Sequence, residues 1–389
     1  MIPSAPKWFS PPTNVNRPAI CHVLHSMKTG GAEVLAADFG RMHREAFDVM
    51  YLCLDDAGDL ADSLKEEGFE VVVLGRNPGF DYSLPSKLGR ILKNKQVDII
   101  HAHQYAPFLY SSLARGILHS RPPIIFTEHG RTFPDYRRPK RCFANKFLLK
   151  SSDRVVAVGK QVKEALIKNE GIDPSRIDVI YNGVSVDRFS RKQDQQRRLA
   201  TRMKEGVSDD MTVIIQVARL NPLKDHITAI RAMRQVVDKI PSSILLIVGE
   251  GEERAAIQDE INQLGLSRNV RMLGNRYDVQ DLLEASDVFI LTSVSEGIPL
   301  TVIEAMLSGL PCVATDVGGL SEIIEDGEDG FLVQAKDVLG LASRIVELVS
   351  APEIARRFSE VGRTKTRLNF SSERMHAAYL ELYQNMLGR

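Results

Sequence analysis

Short, continuous apolar runs alternate with amphipathic stretches of helical periodicity along most of the chain. Continuous apolar character, without the polar alternation of a half-exposed strand, is typical of parallel strands that are covered on both faces. Parallel strands joined by helices form an α/β sheet flanked by those helices. The pattern therefore predicts two series of strands, the first at residues 19–24, 47–54, 69–74, 97–102, 124–128, 154–158 and 178–181, and the second at residues 212–217, 244–249, 270–273, 287–291, 311–315 and 330–333.

The two series indicate two domains. A chain of 389 residues is long for one domain and natural for two of about 150–200 residues each. We expect a flexible, proline-rich tail at 1–17, a doubly wound domain at 18–189, a polar interdomain segment at 190–210 and a second doubly wound domain at 211–370. The helical pattern at 371–389 can cap either domain, and a cleft between the domains is the expected active site.

Composition excludes several classes of protein. Lys and Arg total 50, and so do Asp and Glu, a balance that argues against a general nucleic-acid binder. The 4 cysteines are scattered without paired spacing, which suits a reducing compartment and indicates no zinc site. Because there is neither a signal-peptide pattern nor an apolar run of about 18–20 residues, the protein is predicted to be cytoplasmic.

The stretch from Ser293 to Gly309 carries the strongest functional signal. It joins a strand to a helix through a glycine-containing turn, with Pro299 at or near the first helical position. The free N–H groups of the first turn and the helix dipole favour an anion there. Glu296 lies in the loop and Glu304 on the polar side of the helix. The stretch therefore suits a ligand that carries both phosphate and hydroxyl groups.

Two cations, Arg219 and Lys224, follow the first strand of the second series. Asn221 is a predicted N-cap and Pro222 a predicted first helical residue, which would place Lys224 in the first turn, where a cation opposes the helix dipole. A bound anion would stabilise such a lysine, and a diphosphate fits a pair made of Arg and Lys. Two solvated surface cations are the alternative, but the position at the carboxyl end of a strand favours binding.

Three features of the first domain are less specific. Gly30 and Gly31 let a ligand approach the backbone between a strand and a helix, but their spacing matches neither a dinucleotide-binding motif nor a P-loop, and a simple tight turn is the alternative. His129 ends a strand, where a structural histidine is the alternative. His101 and His103 lie on another strand end, and we expect no set of metal ligands around them.

Residues 131–150 form a basic segment with interleaved aromatic residues. Its one acidic residue is Asp135, its cations are Arg131, Arg137, Arg138, Lys140, Arg141, Lys146 and Lys150, and its aromatic residues are Phe133, Tyr136, Phe143 and Phe147. Such a segment can lie on an anionic membrane surface or hold an anionic acceptor. A solvated loop and helix with the aromatic side chains facing the core is the alternative, and the sequence leaves both open.

With these motifs the chain resembles the retaining glycosyltransferases of family 4, whose GT-B fold consists of two Rossmann-like domains facing across a cleft. The resemblance covers essentially residues 19–389. It depends most on Glu296 and Glu304 within the run S-E-G-I-P-L-T-V-I-E-A-M, supported by the Arg219 and Lys224 pair and the glycine loop.

Two further segments extend the resemblance. The run Y-N-G-V-S-V-D-R-F at 181–189 is similar to the family's interdomain segment, although Ser185 stands where the family usually has Asp. The run T-E-H-G-R at 127–131 with the basic segment resembles a subset that builds bacterial exopolysaccharide or other cell-surface glycans. By this resemblance the first domain would bind the acceptor, the second would bind the donor, and the helix at 371–389 would complete the first domain.

The resemblance also implies a role for each matched residue. Arg219 and Lys224 would neutralise the diphosphate as it leaves. Glu296 would hold hydroxyl groups of the donor sugar, Glu304 would accept from the ribose, and His129 would contact the sugar. The remaining donor-binding positions would be Gly31, Gly274, Arg276, Gly297, Ile298, Pro299, Leu300 and Thr301.

The expected activity is a retaining transfer of a sugar from a nucleotide-diphosphate sugar to a hydroxyl group of a glycan or lipid-linked acceptor in cell-surface polysaccharide synthesis. UDP-sugar is the first expectation for the donor and GDP-mannose the second. No metal or other cofactor is expected, because the chain has no Asp-x-Asp run at a strand end. The protein would act in the cytoplasm, at the inner face of the membrane if the basic segment docks there.

Other activities are weighed against this one. A nucleotide-sugar epimerase on a similar fold would need a second acid or base beside His129, and none stands out in the sequence. An inactive nucleotide-sugar-binding subunit would have no reason to keep Arg219, Lys224, Glu296 and Glu304 together. A dehydrogenase is disfavoured because the G-x-G-x-x-G motif is missing.

Overall fold

The computed structural model describes residues 17–118, 120–130, 135–189 and 194–388. These residues form two compact units. The first unit contains the described residues up to His129, residues 135–180 and those from His376 onward, and the second contains Gly130 and the described residues from 181 to 375. All but the last residue of the predicted tail at 1–17 lies outside the described part of the chain.

The first unit is built on a parallel sheet. Its 7 strands are β1 (Ala19–Leu24), β2 (Asp48–Cys53), β3 (Glu70–Val73), β4 (Ile99–His103), β5 (Ile124–Glu128), β6 (Arg154–Ala157) and β7 (Ile177–Val179), in the spatial order β3-β2-β1-β4-β5-β6-β7. The helices between them are α1 (Gly31–His43), α2 (Leu60–Glu66), α3 (Leu84–Asn94), α4 (Tyr105–Arg115), α5 (Pro139–Leu148) and α6 (Lys160–Glu170).

The second unit repeats this plan. It begins with α7 (Val186–Phe189) and α8 (Gln195–Lys204), and its 6 strands are β8 (Thr212–Val217), β9 (Ser243–Val248), β10 (Val270–Gly274), β11 (Val288–Leu291), β12 (Cys312–Thr315) and β13 (Phe331–Val333). Their order is β10-β9-β8-β11-β12-β13, again parallel. The other helices are α9 (His226–Lys239), α10 (Arg254–Gln263), α11 (Val279–Glu284), α12 (Leu300–Leu307), α13 (Leu320–Ile323), α14 (Val338–Ser350) and α15 (Pro352–Asn369).

Both sheets confirm the predicted α/β class and the two Rossmann-like domains. Most apolar side chains of the strands are buried, because helices cover the sheets as the continuous apolar runs require. In each sheet the strand order reverses once, between β1 and β4 in the first and between β8 and β11 in the second. Loops that leave the carboxyl ends of the strands at such a reversal are where α/β proteins bind ligands.

Residues 194–210, which the sequence pattern assigns to an interdomain segment, belong to the second unit. Polar contacts anchor α8 there. The buried Arg202 donates from Nε to the carbonyl of Ala285 at 2.9 Å and from Nη2 to Asp287 at 2.8 Å. Arg198 lies 2.6 Å from the same carboxylate. The apolar pattern did not show this helix because ion pairs hold it to the unit.

The last helix, α16 (Ser372–Met386), contributes its residues from His376 onward to the first unit. Tyr379 and Tyr383 are buried there. The Tyr383 hydroxyl lies 2.5 Å from Nδ1 of His101, and the Tyr379 hydroxyl lies 3.3 Å from the hydroxyl of Thr127. Within the described residues, none of the helices is both long and apolar enough to cross a membrane.

Candidate active site

The loop after β8 presents Lys224 to the carboxyl edge of the second sheet. Pro222–Lys224 forms a single 3-10 turn, and α9 begins only at His226. Asp225 caps α9 in the left-handed region (φ 43°), and its carboxylate accepts from the hydroxyl of Thr228 at 2.7 Å. Asn221 and Pro222 thus begin a helical turn as predicted, but it is a separate 3-10 turn and not the start of α9, since the left-handed Asp225 lies between them. Lys224 lies just ahead of the N-terminus of α9, where a cation opposes the helix dipole.

Lys224 is paired with Glu296 across the strand-order reversal. The Nζ of Lys224 lies 2.5 Å from Oε1 of Glu296, and the same carboxylate oxygen accepts from the Ser293 hydroxyl. The Glu296 side chain is 8% exposed and that of Lys224 is 23% exposed, so the pair is shielded but not closed off from solvent. The structure thus brings together the cation and the acid that the sequence predicts to serve one ligand.

Polar contacts fix the backbone on both sides of this pair. The Thr292 hydroxyl donates to the carbonyl of Asp225 at 2.9 Å, and the N–H of Val294 donates to the carbonyl of Leu223 at 2.8 Å. The Thr315 hydroxyl donates to the carbonyl of Ser293. Sequence reasoning missed Thr292, Ser293 and Thr315, although each lies at or just beyond a strand's carboxyl end, which is the available signal.

Glu304 lies in the second turn of α12, whose other side is core. Part of its side chain reaches solvent, yet desolvation of the carboxyl raises its pKa to about 7, opposed by the charge of Arg188. Within the described part of the chain, no side chain is hydrogen bonded to this carboxyl. An acid held between its neutral and charged forms, and not committed to a protein partner, is available to a ligand.

The first turn of α12 follows Pro299, which is extended (φ −74°, ψ 118°) and stands at the N-cap position. The N–H groups of Leu300 and Thr301 have no intrahelical acceptor because they belong to the first turn. The loop before them is held by Asn182, which donates from Nδ2 to the carbonyl of Ile298 at 3.1 Å. The helix therefore starts where the sequence predicts, and the loop before it is fixed in place.

A second glycine loop packs against the loop that precedes this first turn. Gly318 has φ +53°, and a Cβ on it would overlap the carbonyl oxygen of Glu296. A Cβ on Gly319 would overlap the carbonyl oxygen of Gly297, to which the N–H of Gly319 donates at 3.0 Å. Sequence reasoning missed this pair. A Gly-Gly step directly after a predicted strand was the signal that could have shown it.

The remaining second-unit positions are near strand ends but differ in their partners. Arg219 is exposed in the loop after β8. Gly274 ends β10 with φ +70°, and its carbonyl accepts from the N–H of Gly249 at 2.9 Å. Arg276 is 2.7 Å from Asp278 and 2.8 Å from Glu205. Arg276 is thus held by two carboxylates, which fixes the loop rather than leaving its charge for a ligand.

Two predicted positions, Gly31 and His129, belong to the first unit. Gly31 is the first residue of α1, and the loop before it is tied down where the N–H of Thr29 donates to Asp59 at 2.7 Å. His129 follows β5, and its Nε2 lies 2.9 Å from Nδ1 of His103. Burial lowers the pKa of His129 to about 4, so the imidazole is neutral at pH 7.

Three histidines of the first unit could hold a metal ion. His22, His101 and His103 are buried, and one nitrogen of each lies within 4.8 Å of the others. This corrects the expectation that no ligand set surrounds His101 and His103: His22 enters from β1, the neighbour of β4 in the sheet. The distance along the chain hid it from sequence reasoning.

The basic segment turns its aromatic residues outward. Phe143 and Phe147 on α5 are 66% and 62% exposed, with their ring centroids 5.1 Å apart. Tyr136 is also exposed. In the described part of the segment these aromatic side chains therefore do not face the core, while Phe133 and Arg131 lie outside the described residues.

Comparison with known proteins identifies relatives over most of both units. Residues 29–188 match the family model described as Glycosyltransferase Family 4, and residues 198–365 match the one described as Glycosyl transferases group 1. The chain is similar to the UDP-Gal:alpha-D-GlcNAc-diphosphoundecaprenol alpha-1,3-galactosyltransferase of Escherichia coli, with 29% identity over 85% of this chain and 87% of that protein.

Two further similarities agree with these. EpsD of Bacillus subtilis (strain 168), whose name assigns it to the glycosyltransferases, is 30% identical over 76% of this chain and 79% of that protein. The crystal structure of Anabaena HepE in complex with UDP-glucose superposes with a TM-score of 0.82 over 94% of this chain and 99% of that one, at 23% identity. The second similarity supports the fold.

Proposed function

We propose that this chain, which belongs to glycosyltransferase family 4 and has the GT-B fold, is a retaining enzyme that transfers a sugar from a UDP-sugar to a hydroxyl group of a glycan or lipid-linked acceptor. The observation that carries the proposal is one juxtaposition in the second unit. Lys224, its partner Glu296 and the first turn of α12 meet at the reversal between β8 and β11.

The charges of this site suit the departure of a nucleoside diphosphate. In the proposed reaction the bond between the anomeric carbon and the diphosphate oxygen breaks, and the acceptor oxygen bonds to the same carbon on the same face. The acceptor proton passes to the departing diphosphate. Arg219, Lys224 and the N–H groups of Leu300 and Thr301 stabilise the negative charge that grows there. These groups supply the positive charge without a metal ion.

Each acid has a separate role in this scheme. Glu296, fixed by Lys224 and Ser293, accepts from hydroxyl groups of the donor sugar, and donor binding competes for the lysine. Glu304 accepts from the ribose. The backbone of Gly297, Ile298 and Pro299 lies against the sugar, and the loop Gly274–Arg276 meets the base.

In the first unit, we assign Gly31 to contact with the diphosphate or acceptor and His129 to contact with the sugar. Because a glycine has no Cβ, a ligand can approach the backbone closely at this helix start. The neutral imidazole of His129 has an Nδ1 that is shielded from solvent and has no hydrogen-bond partner in the described part of the chain. Such an atom is ready to bond to a ligand.

The choice of donor and acceptor draws on the relatives. The name of the Escherichia coli relative specifies UDP-Gal and a diphosphoundecaprenol-linked acceptor, and HepE is bound to UDP-glucose in its crystal. A UDP-sugar is therefore the first donor to test and GDP-mannose the second. A lipid-linked acceptor in cell-surface glycan synthesis also suits the exposed Phe143 and Phe147 beside the cations of α5, which fit an anionic membrane surface.

A thermal-shift panel of UDP-, GDP- and ADP-sugars tests the donor. A ligand at 100 times its Kd stabilises the folded state by about 2.7 kcal/mol, so the correct donor should raise Tm and the others should not. Stabilisation by GDP-mannose alone would replace the UDP proposal, and no shift with any of the three would contradict donor binding.

Product analysis tests the chemistry. NMR of the product should show the anomeric configuration of the donor, and EDTA should leave turnover unchanged. Inversion would refute the front-face scheme, and inhibition by EDTA would refute the metal-free one. Conversion of the donor sugar without acceptor would identify an epimerase, while donor binding without any turnover over a panel of acceptors would favour an inactive subunit.

A further inference from the structure

Three histidines of the first unit, the buried His22 and His103 and the partly buried His129, form a hydrogen-bonded row. Nδ1 of His22 lies 2.9 Å from Nε2 of His103, and Nδ1 of His103 lies 2.9 Å from Nε2 of His129. The rings are nearly parallel, at 17° between the first two and 21° between the last two. The row runs from the aromatic interior at His22 to the strand-end loop at His129.

All three imidazoles are neutral at pH 7. Burial lowers the pKa of His22 to about 3 and that of His129 to about 4, and it lowers that of His103 well below its ordinary value. Each ring therefore carries one N–H and one lone pair.

Neutral rings in this register have only two consistent arrangements. Each nitrogen–nitrogen contact needs one donor and one acceptor, and each ring has one of each. Because both contacts join an Nδ1 to the Nε2 of the next ring, the row is protonated either at every Nδ1 or at every Nε2. The tautomer of His129 is thus fixed by His22 through His103.

The two ends of the row decide between the arrangements. Nε2 of His22 is shielded from solvent and has no hydrogen-bond partner among the described residues, and the rings of Phe39 and Tyr51 lie 5.2 and 5.5 Å from the His22 ring. A proton there would be a buried donor without an acceptor, which is rarer in proteins than a bare acceptor. Nδ1 of His129 is equally shielded and unpartnered among the described residues, but it lies at the strand-end loop and not against aromatic rings. Protonation at every Nδ1 therefore places the terminal N–H where a ligand oxygen can accept it.

We infer that His22 and His103 are positioning residues that hold His129 as the Nδ1–H tautomer, so that it donates a hydrogen bond to an oxygen of the sugar ligand. This inference rests on the proposed contact between His129 and the sugar. Coordination of a metal by His22, His101 and His103 conflicts with it. His103 already uses both nitrogens toward His22 and His129, and His101 uses both toward the hydroxyls of Tyr383 and Thr127, so coordination would have to break a hydrogen bond at each of these two rings.

The tautomers can be read without any substitution. Long-range proton–nitrogen NMR of the full chain labelled with ¹⁵N-histidine distinguishes Nδ1–H from Nε2–H rings. We expect His22, His103 and His129 to be Nδ1–H at pH 7. Nε2–H rings, a mixture of tautomers at His129, or copurified zinc that is lost in His103→Leu would each overturn the inference.

Substitutions at His103 test whether this residue passes the tautomer preference from His22 to His129. His103→Leu removes the link and should leave His129 as a mixture of tautomers. His103→Gln should restore the Nδ1–H form in part, because its carbonyl can accept from His22 while its amide donates to His129. His376→Phe is the matched control, since His376 is buried in the same unit outside the row, and it should leave the His129 spectrum unchanged.

The kinetic readout separates this inference from the proposed function. Loss of one neutral hydrogen bond is worth about 2- to 10-fold, so His103→Leu should lower kcat/KM by about that factor and His103→Gln by less. If His129→Ala itself leaves kcat/KM unchanged, the proposed contact with the sugar fails while the tautomers stand. If His129→Ala is impaired but His103→Leu alters neither tautomer nor rate, the positioning role fails alone.

Discussion

Nζ of Lys224 lies 2.5 Å from Oε1 of Glu296, although 72 positions separate them in the chain. They follow β8 and β11, the two neighbouring strands at which the order of the second sheet reverses. In the absence of a ligand each charge satisfies the other. The ion pair thereby keeps both side chains ordered before binding. A donor that brings a diphosphate to Lys224 and sugar hydroxyls to Glu296 can then replace each partner.

Lys224→Ala should lower turnover at saturating UDP-sugar by tens- to thousands-fold, because the growing charge on the leaving diphosphate loses a cation. It also leaves the shielded carboxylate of Glu296 without its partner. Arg219→Ala should act in the same direction. The control is Lys239→Ala at the exposed end of α9, which should be silent. Initial rates at saturating donor measure the effect. Unchanged turnover in Lys224→Ala would show that Lys224 does not stabilise the leaving diphosphate.

Glu304 should make donor binding depend on pH. Its pKa is raised from 4.5 to about 7 by desolvation, and the ionised form accepts hydrogen bonds from the ribose more strongly. Affinity for UDP-glucose should rise as the pH passes from 6 to 8. Glu304→Gln should bind UDP-glucose more weakly, with an affinity that does not change over this pH range. Calorimetry should use the UDP-sugar and not UDP, whose terminal phosphate titrates at about pH 6. The same pH slope in Glu304→Gln would assign the dependence elsewhere.

The same shift makes a prediction about stability. Between pH 4.5 and about 7 the folded protein keeps the Glu304 proton that the unfolded chain has lost, so this group reduces stability as the pH rises. Without ligand, Glu304→Gln should be more stable than the wild type above pH 7. The difference should disappear below pH 4.5, where both states are protonated. Denaturant unfolding at pH 4 and pH 8 measures it.

Gly318→Ala should impair donor binding out of proportion to its effect on stability. A Cβ at Gly318 overlaps the carbonyl of Glu296, whereas a Cβ at Gly327 meets nothing within 4 Å although its φ is also positive, at +79°. Both substitutions should cost about 1–2 kcal/mol for the left-handed backbone. Only Gly318→Ala should displace the Glu296 loop and weaken the thermal shift with UDP-sugar. Equal binding by both variants would show that the loop tolerates the displacement.

The exposed phenylalanines of α5 should attach the first unit to membranes. Phe143→Ser with Phe147→Ser should reduce co-sedimentation with anionic liposomes, and binding by the wild type should fall with salt because the cations of the segment contribute. Leu339→Ser with Leu368→Ser is the matched control, since these side chains are 70% and 65% exposed on α14 and α15. Binding that persists in the double phenylalanine variant, or that ignores salt, would rule out this surface.

The α/β architecture is predictable from the pattern of apolar residues alone. Each predicted apolar run contains a strand in the structure. Strands covered on both faces must be continuously apolar, and this property can be recognised within a short segment of the chain. The sequence also placed Glu296 and Glu304 near the same site, since one strand–loop–helix segment holds both. Residues 194–210 were misassigned because α8 is held by arginine–carboxylate pairs such as Arg202 with Asp287, which leave no apolar pattern.

Which distant residues meet depends on the packing of the whole fold. The sheet order places the ends of β8 and β11 side by side, so Lys224 finds Glu296, and β1, β4 and β5 bring His22, His103 and His129 into one row. The raised pKa of Glu304 follows from burial, and the inferred tautomers of the histidines follow from their hydrogen-bonded row. Both are properties of the packed protein and not of any one segment. The sequence shows which residue types are available for chemistry, and the strand order of the parallel sheets determines which of them become neighbours.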